Sequence, residues 1–192
     1  PDCIGGGSLG ISPDDMERHI AYDIGAAGVT RRLAERLNAP AILSDFSRLV
    51  IDPNRGEDDP TLVMKLYDQT IIPVNRDVNA DETERRLNAF HRPYHDALEG
   101  LAIRRPDTVI CAVHSFTPRL FGRADRPWQV GILYSHLDPK RSLAILERLR
   151  AEPDLNVGEN KPYGGHLDGD CIDRHALKKR RPNVMIENRH DL

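Results

Sequence analysis

Cysteine is scarce in this sequence, with Cys3, Cys111 and Cys171 the three in 192 residues. An odd count without paired spacing argues against a disulfide framework or a zinc knuckle and makes a reducing cytoplasm the default expectation. Charge of one sign is missing as well. A formal net charge of −3 offers no field for nucleic acid or anionic lipid, and the run Lys178-Lys179-Arg180-Arg181 is short enough to read as a solvated helix end. No apolar stretch approaches the roughly 18–20 residues of a membrane span, and no signal peptide is visible. The phosphate-loop spacing GxxxxGK is absent. Gly5, Gly7 and Gly10 fit GxGxxG by letter, but no apolar strand precedes them, so the match carries no nucleotide site.

What is there suits one ordinary soluble domain over residues 1–192, with 39% hydrophobic and 30% charged residues and enough chain to bury a core. The first residue is Pro1 rather than Met, so the chain is expected to be a fragment. The sequence turns on the stretch from Thr108 to Pro118. Thr108 to Val113 is an almost unbroken apolar run, rich in β-branched residues, which predicts a central strand covered on both faces. It ends in His114-Ser115, and Pro118 forbids continuation. A histidine leaving the carboxyl end of a buried strand stands where open α/β sheets keep their ligands.

Upstream, Ser12, Pro13 and Asp15 form a helix start. Met16, Ile20, Ile24, Ala27, Leu33 and Leu37 recur at helical spacing and predict one amphipathic helix over 13–37. His19 and Asp23 would share a face of it, either as a local hydrogen bond or as groups aimed at a site. Short strands are expected at 41–43 and 48–52, then an irregular excursion or hairpin over 61–78. Asn79 or Asp81 caps a long helix to about Ala102, which Pro93 should kink. His91 and His95 lie four apart on it, but without a third ligand or the HExxH glutamate, so His95 reads better as a hydrogen-bonding group. A strand at 128–134, a helix at 138–151, a short strand at 155–157 and a turn-rich loop with Asn160 follow. A helix over 170–179 carrying His175 and a strand at 183–187 complete the chain. The alternation predicts α/β layering: a three-layer mixed, largely parallel sheet with helices on both faces.

Three of these strands end in polar groups: Asp52/Asn54/Arg55, His114/Ser115 and Glu187/Arg189. Ends on one rim of a sheet converge in space. A neutral imidazole suits zinc, a carboxylate beside a metal-bound water takes its proton, and an Asn-Arg pair offers a planar fork to a substrate carboxylate. Together they would make a metal-assisted amide hydrolase acting on a small acidic substrate. The plainer alternative is that the arginines bridge to surface acids.

Five ordered segments, Arg18 to Ala26, Ser47 to Arg55, Pro93-Tyr94-His95, His114 to Pro118 and Ile186 to Leu192, together resemble the N-formylglutamate amidohydrolases. The resemblance spans nearly the whole chain and implies a zinc-exopeptidase-like fold, hydrolysis of N-formyl-L-glutamate to formate and L-glutamate, and a place in histidine degradation. More distantly the strand ends resemble those of zinc carboxypeptidases. That likeness implies His114 on zinc, Asn54 and Arg55 on the substrate carboxylate, Asp52 orienting a metal ligand, and Glu187 as general base and then acid. Asp23 and His19 are the candidates to complete the metal shell. Arg48, Ser115, Arg189, His175 and Asn160 are expected to line the substrate pocket. An upstream strand with an Asp-His-Ala-Ser-Asn-like motif, the source of the family's first metal histidine, has no counterpart here, nor has a further C-terminal helix. Asn188 stands where an aliphatic residue is usual between Glu and Arg. The alternatives carried beside this reading are a zinc peptidase or amidase of other specificity, and a small-acid binding module without catalysis.

Overall fold

The computed structural model describes residues 7–192; Cys3 and Gly5 lie outside them. Ser12 caps α1 (Pro13–Met16), its Oγ accepting the Asp15 N–H at 3.1 Å. The single helix expected over 13–37 is interrupted. Gly25 takes φ +80°, a left-handed conformation that a continuing helix forbids, and α2 (Ala26–Leu37) begins after it. His19 and Asp23 therefore lie in turns between two helices and share no helix face. Burial holds the break: Ile20 and Ala21 are sealed into a core with Leu9, Leu49 and Ile72.

The strands expected at 41–43 and 48–52 do not form. Leu49 and Ile51 are fully buried, as their apolar run requires, but side chains meet the backbone there. Asn75 Nδ2 donates to Leu49 O and Met64 O, both at 2.7 Å, and Arg86 Nη1 donates to Val50 O at 2.8 Å and to Asn75 Oδ1 at 2.7 Å. These bonds replace a sheet ladder for the buried carbonyls. The hairpin comes next. β1 (Leu66–Tyr67) and β2 (Thr70–Ile71) pair antiparallel about Asp68 and Gln69, whose φ of 40° and 67° suit a tight hairpin turn.

Asn79 caps α3 (Ala80–Arg86), accepting the Glu82 N–H at 2.9 Å. The kink foreseen at Pro93 is taken up by a π-turn, Leu87–His91, directly before α4 (Arg92–Ala102). The rest of the chain supplies β3 (Ile110–Phe116), β4 (Val130–Leu133), α5 (Lys140–Arg150), β5 (Val157–Glu159), α6 (Cys171–His175) and β6 (Asn183–Arg189). The helix expected over 170–179 stops at His175 and continues as the 3-10 turn Leu177–Lys179.

The sheet runs β3-β6-β4-β5, parallel at both outer pairs and antiparallel between β6 and β4. The fold is thus mixed α/β with a mostly parallel four-stranded sheet and helices. Among the described residues β3 is an edge strand, not the central one expected, and β6 takes the inner place. An apolar run reports covered faces and says nothing of paired edges. Ala102 of α4 and Ile172 of α6 pack, with Ala176, on the face carrying Ile110, Leu133 and Met185. By strand alternation that face also carries His114 and Glu187. No helix among the described residues is long and apolar enough to cross a membrane.

Candidate active site

His114 and Glu187 are register partners on the parallel pair β3 and β6. Their side chains leave one face from backbones about 4.8 Å apart, two residues short of both strand ends. The sequence expectation that these two residues meet is met. Asp23 reaches in from the turns before α2 and accepts from His114 Nδ1 at 2.7 Å; the Ser115 N–H also donates to it. Arg48 lies between two carboxylates, with Nη1 3.4 Å from Asp23 Oδ1 and Nε 3.5 Å from Asp52 Oδ2.

These contacts set the charges. Burial raises the Glu187 carboxyl to about 7; His114, Arg48 and Arg126 oppose that rise and Asp23 adds to it. For His114, burial favours the neutral ring, but the Asp23 hydrogen bond and charge outweigh it and lift the imidazole to about 9. Burial also pushes Asp23 up, yet Arg48 and His114 hold it down at about 2. Arg48 is desolvated, but Asp52 and Asp23 keep it firmly charged. Glu187 is 6% exposed, and its Oε2 is buried with no hydrogen-bond partner among the described residues. An orphaned carboxylate oxygen beside an imidazolium is suited to take a proton from water.

The remaining candidates divide. Asp52 touches Arg48 and, through Oδ1, accepts its own turn's Asn54 N–H at 2.9 Å, so Asp23 and not Asp52 orients His114. Ser115 turns a buried, unpartnered Oγ away. Asn54 Oδ1 accepts the Cys171 N–H at 3.1 Å, and Arg55 binds Thr61 and the Asn54 carbonyl. Asn160 Oδ1 accepts the Tyr134 N–H at 2.9 Å. His175 is buried between His95 and Glu99. Arg189 holds Asp191 and the carbonyls of Arg126 and Pro127. The bonds of these five tie neighbouring loops, α6 and β6 together around the site.

His19 stands beside this group. Its Nε2 is 3.5 Å from Asp68 Oδ2, and its ring stacks on His190 with centroids 6.1 Å apart. Arg126, Tyr163 and His190 were not singled out by sequence reasoning. Arg126 belongs to the charged loop Arg123-Ala124-Asp125-Arg126-Pro127, where nothing periodic distinguishes it, and His190 was visible only as the neighbour of Arg189. Lys161 closes the site from above: a Cβ on Gly131, the register partner of Glu187 on β4, would fall 2.0 Å from the Lys161 carbonyl oxygen.

Among the described residues, the ligand atoms of His19, Asp23 and His114 do not converge as a set of three. His114 Nδ1 is engaged by Asp23, and His19 is turned to Asp68 and His190. Among the described residues the group whose ligand atoms converge is His166, Asp168 and Asp173, away from Glu187. Two of the three are exposed, and Asp173 already accepts from Lys178. The Asp23 bond to His114 Nδ1 is the kind that orients an imidazole for a metal at Nε2. A concavity of about 450 Å³ between α5 and Glu159 is lined by Leu143, Leu146 and Arg150 and brings no such groups together.

A mixed α/β fold thus sets a buried, unpartnered carboxyl beside a carboxylate-held histidine, near the carboxyl ends of two parallel strands, groups of the kind that hydrolases use for acid–base chemistry. The family model described as N-formylglutamate amidohydrolase matches residues 2–192. The chain belongs to that family and is an amidohydrolase. Among solved structures, the gene product Atu2144 from Agrobacterium tumefaciens is similar at 35% identity and a TM-score of 0.89, over 97% of this chain and 75% of that one. The N-formylglutamate amidohydrolase from Ralstonia eutropha JMP134 is similar at 26% identity and a TM-score of 0.57, over 76% of this chain and 62% of that one. No curated protein matches the chain.

Proposed function

We propose that this chain hydrolyses N-formyl-L-glutamate, or a closely related N-acyl acidic amino acid, to the free acid and amine. The observation that carries the reading is the buried Glu187 carboxyl, its Oε2 unpartnered among the described residues, in register beside His114, with burial raising its pKa to about 7. Ionised Glu187 takes a proton from water as the water oxygen attacks the formyl carbon. His114, positively charged below about pH 9 and held through Nδ1 by Asp23, directs its Nε2–H to the same face and stabilises the developing oxyanion. The proton on Glu187 then passes to the departing amine, leaving formate and L-glutamate.

The same reading takes the layers as zinc-exopeptidase-like, supported by the strand-end position of Glu187 and His114. Zinc enters it as a measurement. Stoichiometric metal in the purified protein, lost together with turnover on chelation, restores a metal-bound water; turnover indifferent to chelator removes it. The central test is formate release from N-formyl-L-glutamate by the protein and its Glu187→Gln variant. Losing the general base should lower kcat by roughly 10²- to 10⁴-fold with KM changed only a few-fold. Unaltered kcat in the variant removes Glu187 from the chemistry.

A further inference from the structure

The arginines around this site differ in one respect. Arg18 is paired with Asp15 and Asp68, Arg48 with Asp23 and Asp52, Arg55 with Asp59, and Arg189 with Asp191. Arg126 has no carboxylate partner among the described residues. It is half-buried and acts electrostatically on both Glu187 and His19. A partly desolvated cation without a counter-ion is costly to keep.

Its posture is fixed from several sides. The Arg126 N–H donates to Pro118 O at 2.8 Å, and its carbonyl accepts from Arg189. Nη1 donates to Thr117 O and to Tyr163 Oη, both at 3.2 Å, and the guanidinium lies 5.0 Å from the Tyr163 ring centroid and 5.9 Å from that of Phe116. All of these side-chain bonds use Nη1. The Nε–Nη2 edge, an edge that grips a carboxylate in two parallel hydrogen bonds, makes no bond among the described residues. Close by, His19 Nε2, 3.5 Å from Asp68 Oδ2, and His190 Nε2 are both buried and make no hydrogen bond among the described residues, and their rings stack on each other.

We infer that Arg126 is the specificity-determining residue of this site, its Nε–Nη2 edge binding a carboxylate of the substrate in a subsite walled by His19 and His190. The inference rests on the reading of Glu187 as the base of an amide hydrolase. It moves the carboxylate clamp from Asn54 and Arg55, whose Oδ1, Nε and Nη1 already bond Cys171, Thr61 and the Asn54 carbonyl, to the loop after β3.

Kinetics on the full chain with three substrates test it: N-formyl-L-glutamate, N-formyl-L-glutamine, which is neutral at the side-chain end, and 4-formamidobutyrate, which lacks the α-carboxylate. For N-formylglutamate, Arg126→Ala should raise KM about 100-fold with kcat within about threefold, and Arg126→Lys, charged but without the fork, should recover only part of it. Arg32→Ala on the outer face of α2 serves as the control. The analogue missing the carboxylate that Arg126 holds is poor for the unaltered protein and loses nothing further in Arg126→Ala, which identifies that carboxylate. Equal losses on all three substrates, or an unchanged KM, overturn the inference; so does a KM rise in Arg55→Ala with Arg126→Ala silent. If the unaltered protein releases no formate, the hydrolytic reading fails and calorimetry with glutarate decides this one. Binding abolished by Arg126→Ala sustains it; binding that is unaltered, or absent from the start, ends it.

Discussion

Asp23 fixes the charge state of the whole site through one hydrogen bond. Its carboxylate joins the positive ends of His114 and Arg48, so the imidazolium beside Glu187 exists because Asp23 is ionised. Asp23→Asn should lower the His114 pKa from about 9, since both the hydrogen bond and the charge that raise it are weakened. The orienting bond is also lost, and kcat should fall by roughly 10²-fold. NMR titration of His114 together with formate release checks both; a His114 pKa that stays in place would separate Asp23 from its proposed role. At this scale much was legible. His114 and Glu187 announce themselves by ending apolar runs, and Asp23 and Arg48 stand in segments with family resemblance. What eluded the sequence was pairing: Asp52 looked like the orienting carboxylate, and Arg55 like the free fork. An ion pair is decided by side-chain reach in three dimensions, so a solitary arginine such as Arg126 looks like any other on the page.

The segment from Arg48 to Asp52 shows how an element can be misread while its burial is read well. Its apolar residues are in the core, but the backbone partners are Asn75 and Arg86, far along the chain and individually unremarked in sequence. Asn75 is fully buried, donates twice and accepts once. Asn75→Ala would strand the Leu49 and Met64 carbonyls and leave Arg86 short of an acceptor. The expected cost is about 2–4 kcal/mol, read from urea unfolding as a lower midpoint at unchanged slope. A loss below about 0.5 kcal/mol would mean that water or a shifted strand takes over these bonds. The same limit explains the helix expected over 13–37. Hydrophobic spacing survives a bend, and only the +80° φ of Gly25 reveals it.

Across the whole molecule, a chain of three buried imidazoles ties α4 and its π-turn to α6. The Arg55 carbonyl can only accept, so His91 Nε2 carries the proton at 3.0 Å; His95 Nε2 lies 3.3 Å from it, and His95 also bonds the Pro53 carbonyl. His95 Nδ1 lies 2.8 Å from His175 Nε2, and His175 Nδ1–H donates to Glu99 Oε2 at 2.9 Å, where Arg181 donates as well. All three rings are buried. Burial is the leading cause that lowers each of them, His95 to about 3, while the Arg181 hydrogen bond first and then His175 hold Glu99 at about 2. The sign follows. A histidine with a depressed folded pKa leaves the unfolded chain to bind protons first, so stability falls as pH drops from 6.5 toward about 3. Glu99 loses its contribution in the same direction, from 4.5 toward about 2. Glu187 works against both between 4.5 and about 7, because its folded pKa is raised. Comparison with His95→Gln, which carries no titrating ring, isolates the chain of imidazoles. Between pH 6.5 and 3 the unaltered protein should lose stability more steeply than the variant, by at most ~1.4 kcal/mol per pH unit, the slope of one proton. Denaturant unfolding across that range decides it, and parallel curves would show that His95 takes up its proton in the folded state as readily as in the unfolded one.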